Sequence, residues 1–205
     1  MALDLSHPAA AFGLGVALGT SPGPVQLLLL SEASRGGVGR GLRAMAGANL
    51  AFGAMLLLLA AGLSSVLPGE PFLRTVKVVG GTFLVWLALD ALRGRGRPRQ
   101  AQAGGGLHPA VRGAIAVVTN PGVYVFLAST GTAVAADAAR DGGRPLALLT
   151  AAALLLGVSM MDSGMVIIGA GAHRASARVL DALGTVLALG LGALGVWLVA
   201  GGLLS

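Results

Sequence analysis

Thr20-Ser21-Pro22-Gly23-Pro24 interrupts an apolar run that extends from Ala9 to Leu30. A run of that length can cross a bilayer, which takes about 20 apolar residues. Proline has no amide hydrogen and clashes with the turn before it, so two prolines around a glycine leave backbone groups without helical partners. Water cannot satisfy those groups in hydrocarbon, and a broken helix is tolerated there only where protein or a polar cavity surrounds it. Ser21 suits an N-cap and Pro22 a first helical position, so a second half-helix is expected to begin there with free N–H groups facing the membrane middle.

The same device returns in a second apolar run, Val111 to Ala133, where Thr119-Asn120-Pro121-Gly122 lies near the centre. Asn120 is the expected cap and Pro121 the expected first helical residue. Interrupted spans in matching places of two halves point to a transporter built from inverted repeats, with its binding site where the breaks meet.

Composition supports a membrane setting. Of 205 residues, 55% are hydrophobic and only 11% charged, with a mean hydropathy of +0.84; soluble domains carry about 25% charged residues. An all-α, polytopic membrane protein follows, with the lipid bilayer as its surroundings. The 34 glycines fit close helix packing, and Gly15/Gly19, Gly19/Gly23 and Gly37/Gly41 have small-xxx-small spacing. In so glycine-rich a chain this favours packing within the molecule over a homodimer seam, which stays possible. The absence of cysteine excludes disulfides and thiolate metal sites. The net charge of +6 suggests nucleic acid at first sight, yet nearly every base lies between apolar runs, so it reads as topology and no nucleic-acid partner is expected.

Six spans emerge in order: Ala9–Leu30, Gly41–Leu63, Phe72–Leu92, Val111–Ala133, Pro145–Ala170 and Leu180–Gly202. The first connection, Ser31 to Arg40, and the fourth, with Asp137, Arg140, Asp141 and Arg144, read as polar loops. Residues 1–92 form a first three-helix repeat, 93–110 a cytoplasmic linker and 111–205 a second repeat. No basic residue precedes the first run, so it reads as a retained span instead of a secretory signal. Ten of the 14 Lys and Arg fall on the side of the connections after spans 1, 3 and 5, while Arg74, Lys77, Arg140 and Arg144 fall on the other. The positive-inside rule then puts both termini outside the cytoplasm of an inner or plasma membrane. Trp86, near the end of span 3, reads as an interfacial anchor.

A helix N-terminus carries about half a positive charge and unpaired N–H donors, so two converging ones make a seat for a carboxylate. Asp162 is the one acidic residue deep within a span. Burying it charged is costly, so it is expected to face the bundle interior and to exchange protons or hold an ammonium; hydrogen bonding to Ser159 or Ser163 is the structural alternative. Asn49 reads equally as a substrate contact or as polar glue between helices. His7, His108 and His173 stand at span ends without ligand-like spacing, so no metal or cofactor is expected. No basic partner for an intramembrane serine nucleophile is available near Ser21 or Ser159.

These residues resemble the lysine exporter / threonine and homoserine resistance (LysE/RhtB) superfamily over nearly the whole chain. Ser21-Pro22-Gly23-Pro24 is similar to its first-span signature, Gly36 to Gly41 with Gly47 and Gly53 to its entry into span 2, and Leu73 to Leu84 to its span 3. Arg112-Gly113 and Asn120-Pro121 resemble the start and break of span 4, and Asp162 falls where an acidic residue is often found. The chain departs at Gly122, where the family usually has lysine, and at Phe83, often tyrosine. The resemblance implies proton-driven export of amino acids or similar small solutes, with no enzymatic activity.

The expected function is therefore an exporter of an amino-acid-like solute. Ser21, Pro22, Gly23, Pro24, Asn49, Asn120, Pro121 and Gly122 would bind the substrate, and Asp162 would couple to protons. Two other readings stand beside it. Divalent-cation efflux suffers from having a single deep carboxylate where hard cations want several oxygens. A non-transporting accessory protein of a lipid or glycolipid export system is the other.

Overall fold

In a computed structural model the described residues are 6–20, 23–61, 70–93, 107–173 and 177–204. They are helical almost throughout and contain no strand. Among the described residues seven helices follow in order: α1 Ser6–Thr20, α2 Pro24–Ala60, α3 Glu70–Arg93, α4 Pro109–Val118, α5 Pro121–Phe126, α6 Thr132–His173 and α7 Ala177–Leu204. A π-helical turn, Leu127–Gly131, joins α5 to α6. The linker expected around 93–110 falls largely on residues outside those described.

Three described stretches are long and apolar enough to cross a membrane, Pro24–Ala60, Pro121–Ala172 and Thr185–Leu203. Six were expected. Of the third expected span only Lys77–Leu89 counts among the described residues, α1 and α4 are short pieces, and the remaining difference lies in the connections. Ser31 to Arg40 and Asp137 to Arg144 are helical where loops were expected, and the chain bends there only at a glycine pair. Gly36 and Gly37 bend α2 at φ/ψ −142°/17° and 71°/−168°. Gly142 and Gly143 bend α6 at −141°/15° and 67°/−166°. The second glycine of each pair sits at positive φ, a region costly to any residue with a Cβ.

Packing crosses between the halves. α1 lies on α6, where a Cβ at Gly15 would strike the Leu154 carbonyl and one at Gly157 the Phe12 carbonyl. α4 lies on α2 in the corresponding way, Gly47 against Ala110 and Gly113 against Ala44. α3 and α7 meet through Gly81 and Gly195, each against the other's carbonyl. Small residues let backbones come this close, which is how helices gain contact where lipid is as apolar as leucine. Gly15, Gly19 and Gly41 are thus all used inside the chain.

The first kink is filled by charge. Glu32, fully buried, accepts from Arg40 Nε at 2.6 Å and from Arg112 Nη1 of α4 at 3.1 Å, with Arg35 Nη1 at 3.9 Å. The Arg112 guanidinium also lies 5.3 Å from the centre of the Trp86 ring, which stacks on Phe83. Trp86, expected as an interfacial anchor, thus also braces an arginine.

Candidate functional site

The break between α4 and α5 is hydrogen-bonded almost entirely within itself. Pro121 has no N–H to give Val117, whose carbonyl accepts from Asn120 N at 3.1 Å. The Gly122 N–H is taken by Asn120 Oδ1 at 3.0 Å, which leaves the Val118 carbonyl to accept from the Tyr124 hydroxyl at 2.8 Å. The Val123 N–H returns to the Asn120 carbonyl at 3.1 Å. The donors of Gly122 and Val123 are therefore already engaged.

The break before α2 is built differently. Ser21 was expected to cap this helix and Pro22 to begin it; instead α2 begins at Pro24 and its N-cap is Gly23, in extended conformation with no side chain to offer. Ser21 and Pro22 lie outside the described residues. Leu27 N–H reaches the Gly23 carbonyl at 3.0 Å, and no side chain among the described residues caps the first turn, where Val25 and Gln26 stand.

A cavity of about 260 Å³ lies between the two breaks. Gly23, Pro24, Asn49, Asn120, Gly122 and Asp162 all line it; Pro121 is buried and is not part of the lining. Leu18, Val25, Phe52, Val117, Val123 and Val158 give it mainly apolar walls. Gln26 also lines it and was missed by sequence reasoning, although it is the only amide in the run Ala9 to Leu30. Phe52 and Val158 carry no signal that separates them from ordinary core.

Asp162, on α6, is 1% exposed, and its Oδ1 has no hydrogen-bond partner among the described residues. The serines nearest in sequence are occupied elsewhere. Ser159 donates to the Leu155 carbonyl at 2.7 Å and accepts from Asn49 Nδ2 at 2.9 Å, and Ser163 donates to the Ser159 carbonyl at 2.7 Å. Asn49 is thus both polar glue between α2 and α6 and part of the wall. No Lys, Arg or His among the described residues lines the cavity. No group of three or more potential metal-ligating side chains occurs among the described residues. A buried carboxyl with an idle oxygen in a mostly apolar space is costly to maintain, and such groups in membrane proteins mark solute or proton paths.

Residues 16–202 match the LysE type translocator family, a span that holds both breaks and every residue lining the cavity. The chain belongs to the LysE type translocator family. A 77-residue stretch is 38% identical to an uncharacterized membrane protein of Pseudomonas aeruginosa, covering 37% of this chain and 36% of that protein. That match spans about a third of the relative's length. No solved structure matches the chain. Membership in the LysE type translocator family, together with the apolar helices, makes this a membrane protein.

Proposed function

We propose that this translocator exports an amino acid or a closely related small metabolite in exchange for a proton, from a site at the cavity between the two breaks. The observation that carries this reading is Asp162, buried, with an idle oxygen, on a cavity that no basic side chain among the described residues lines. One carboxylate of this kind holds either a proton or the ammonium of a substrate. Arrival of the ammonium releases the proton, and departure of the substrate lets a proton return, so the two movements are tied without a second ionisable group. The carboxylate end of the substrate falls to the first turn of α2, where the helix dipole and N–H groups that Gly23 leaves without a side-chain cap favour an anion, and Asn49 and Asn120 supply amide contacts beside it.

The crossed packing of α1 on α6 and α4 on α2, with α3 against α7, and the matched glycine kinks support reading the halves as inverted repeats. Alternating access would then be a rocking of one repeat on the other around the cavity. Both termini would lie outside the cytoplasm, because the basic connections would lie within it.

The test uses purified protein in liposomes with an imposed pH difference. Solute efflux driven by that difference is expected from the wild type, and Asp162→Asn, inserted and folded to the same extent, should lose the dependence on pH. Unchanged pH-driven efflux in the variant removes Asp162 from the mechanism, and no solute movement under any gradient removes the transport reading altogether.

A further inference from the structure

We propose that the cavity selects neutral amino acids with apolar side chains, the valine, leucine and methionine class, against basic and acidic ones; this deepens the transport reading above and rests on it. The charge inventory is the first ground. Among the described residues Asp162 is the single ionisable side chain on the lining. A substrate with one ammonium finds its partner there. A second ammonium, on a lysine-like side chain, meets no second carboxylate, and a buried unpaired charge is strongly disfavoured. A side-chain carboxylate meets no cation and adds a charge of the same sign as Asp162.

The second ground is the difference between the two helix starts. Asn120 already takes the Gly122 N–H, whereas Gly23 offers α2 no side-chain cap. A substrate carboxylate therefore has its seat at α2, beside Val25 and Gln26. The same cavity carries the nine-tenths-buried, unpartnered Asp162 that such a seat needs as its counterpart. The third ground is what remains. Once the two charged ends are placed, the wall left for the side chain is Leu18, Phe52, Val117, Val123 and Val158. A volume of about 260 Å³ lies below the ~300 Å³ where pockets for drug-sized ligands begin, which suits a small aliphatic body.

Gly122 gives the selectivity a handle. Among the described residues a Cβ added there meets within 4 Å only Asn120 Oδ1, at 3.2 Å, a tight contact that any side chain at this position shares and that Asn120 must yield to. Gly122→Lys would place an ammonium in the cavity and hand Asp162 a permanent partner from within the protein. Gly122→Met adds similar length without charge.

The experiment is counterflow of radiolabelled leucine in liposomes, competed by leucine, lysine, glutamate and isoamylamine, with ligand-induced thermal shifts of the detergent-solubilised protein read in parallel. Leucine should compete at least about tenfold better than lysine or glutamate, a difference of about 1.4 kcal/mol. It should also surpass isoamylamine, which lacks the carboxylate. Gly122→Lys should bind leucine at least about tenfold more weakly than Gly122→Met. Counterflow in which lysine or glutamate equals leucine overturns the selectivity while leaving transport standing. A leucine thermal shift without any counterflow keeps the selectivity and removes transport. Isoamylamine equal to leucine, or the two Gly122 variants alike, overturns the assignment of the charged ends.

Discussion

Gly36-Gly37 and Gly142-Gly143 turn the chain through dihedrals that agree within a few degrees, yet what fills the two bends has nothing in common. Four residues before the first glycine of the first bend stands Glu32 and four after that glycine Arg40; the same places around the second hold Ala138 and Leu146. A Cβ on the first glycine of each pair would run into the residue four further on, Arg40 in one case and Leu146 in the other. The backbone therefore takes its course from the glycine pair, and the space inside accepts either a neutralised ion cluster or plain hydrocarbon. The neighbouring helix differs in the same sense. α4 sends Arg112 into the first bend, buried, whereas α1 reaches the second with His7, whose Nε2 lies 2.8 Å from a half-exposed Asp141.

The largest effect is expected from breaking the charged filling. Glu32→Ala leaves Arg112, at 2% side-chain exposure, and the largely buried Arg40 without their shared carboxylate. Removal of one partner of a buried ion pair costs about 3–5 kcal/mol, so the variant should lose most of its resistance to thermal unfolding in detergent. A melting curve like that of the wild type would show that the cluster is not a closed ionic unit. Making the first bend resemble the second sharpens the comparison. Arg40→Leu and Arg112→Leu added to Glu32→Ala replace the cluster by hydrocarbon, and such replacements are often neutral or stabilising. The triple variant should recover most of what the single one loses. Failure to recover would mean that the Arg112 stacking on Trp86 contributes as much as its pairing with Glu32.

That cluster also shows where sequence reading stops. The helical membrane architecture was legible because apolar runs of spanning length and sparse charge leave few alternatives. The bends were not, since glycine pairs beside Glu, Asp and Arg have the composition of a loop, and only the contact of Glu32 with Arg112, 80 residues away, turns that composition into a packed interior. The start of α2 was misplaced by two residues because Pro22 and Pro24 satisfy the first helical position equally well, and local propensity cannot choose between them. At the cavity, Asp162 stood out as the single deep acid. That Ser159 and Ser163 would turn to carbonyls of their own helix was not legible, because a helical serine finds such an acceptor in any sequence.

A middle-sized effect should be shared by the two bends. Gly37 and Gly143 have φ of 71° and 67°. A side chain in that conformation costs roughly 1–2 kcal/mol whatever surrounds it. Gly37→Ala and Gly143→Ala should therefore destabilise to similar extents, and asparagine, which tolerates this region better, should cost less at both sites. A large effect at one bend and none at the other would mean that the filling, and not the backbone, sets the geometry.

The smallest effect belongs to the second bend's own ion pair. His7 and Asp141 join α1 to the kink of α6 as Arg112 and Glu32 join α4 to the kink of α2, so topology alone assigns the two links equal weight. Solvent separates them. Asp141 is 59% exposed in its side chain, where Glu32 is 1%. Exposed pairs contribute about 0–1 kcal/mol because water screens the attraction and competes for both partners. Asp141→Asn should accordingly shift thermal unfolding by little, with the change shrinking further in high salt, while hydrocarbon at Ala138 and Leu146 continues to hold the bend. If Asp141→Asn instead destabilised as much as Glu32→Ala, burial would not be what distinguishes the bends. The shared connectivity of first helix to opposite kink would then be the stronger determinant.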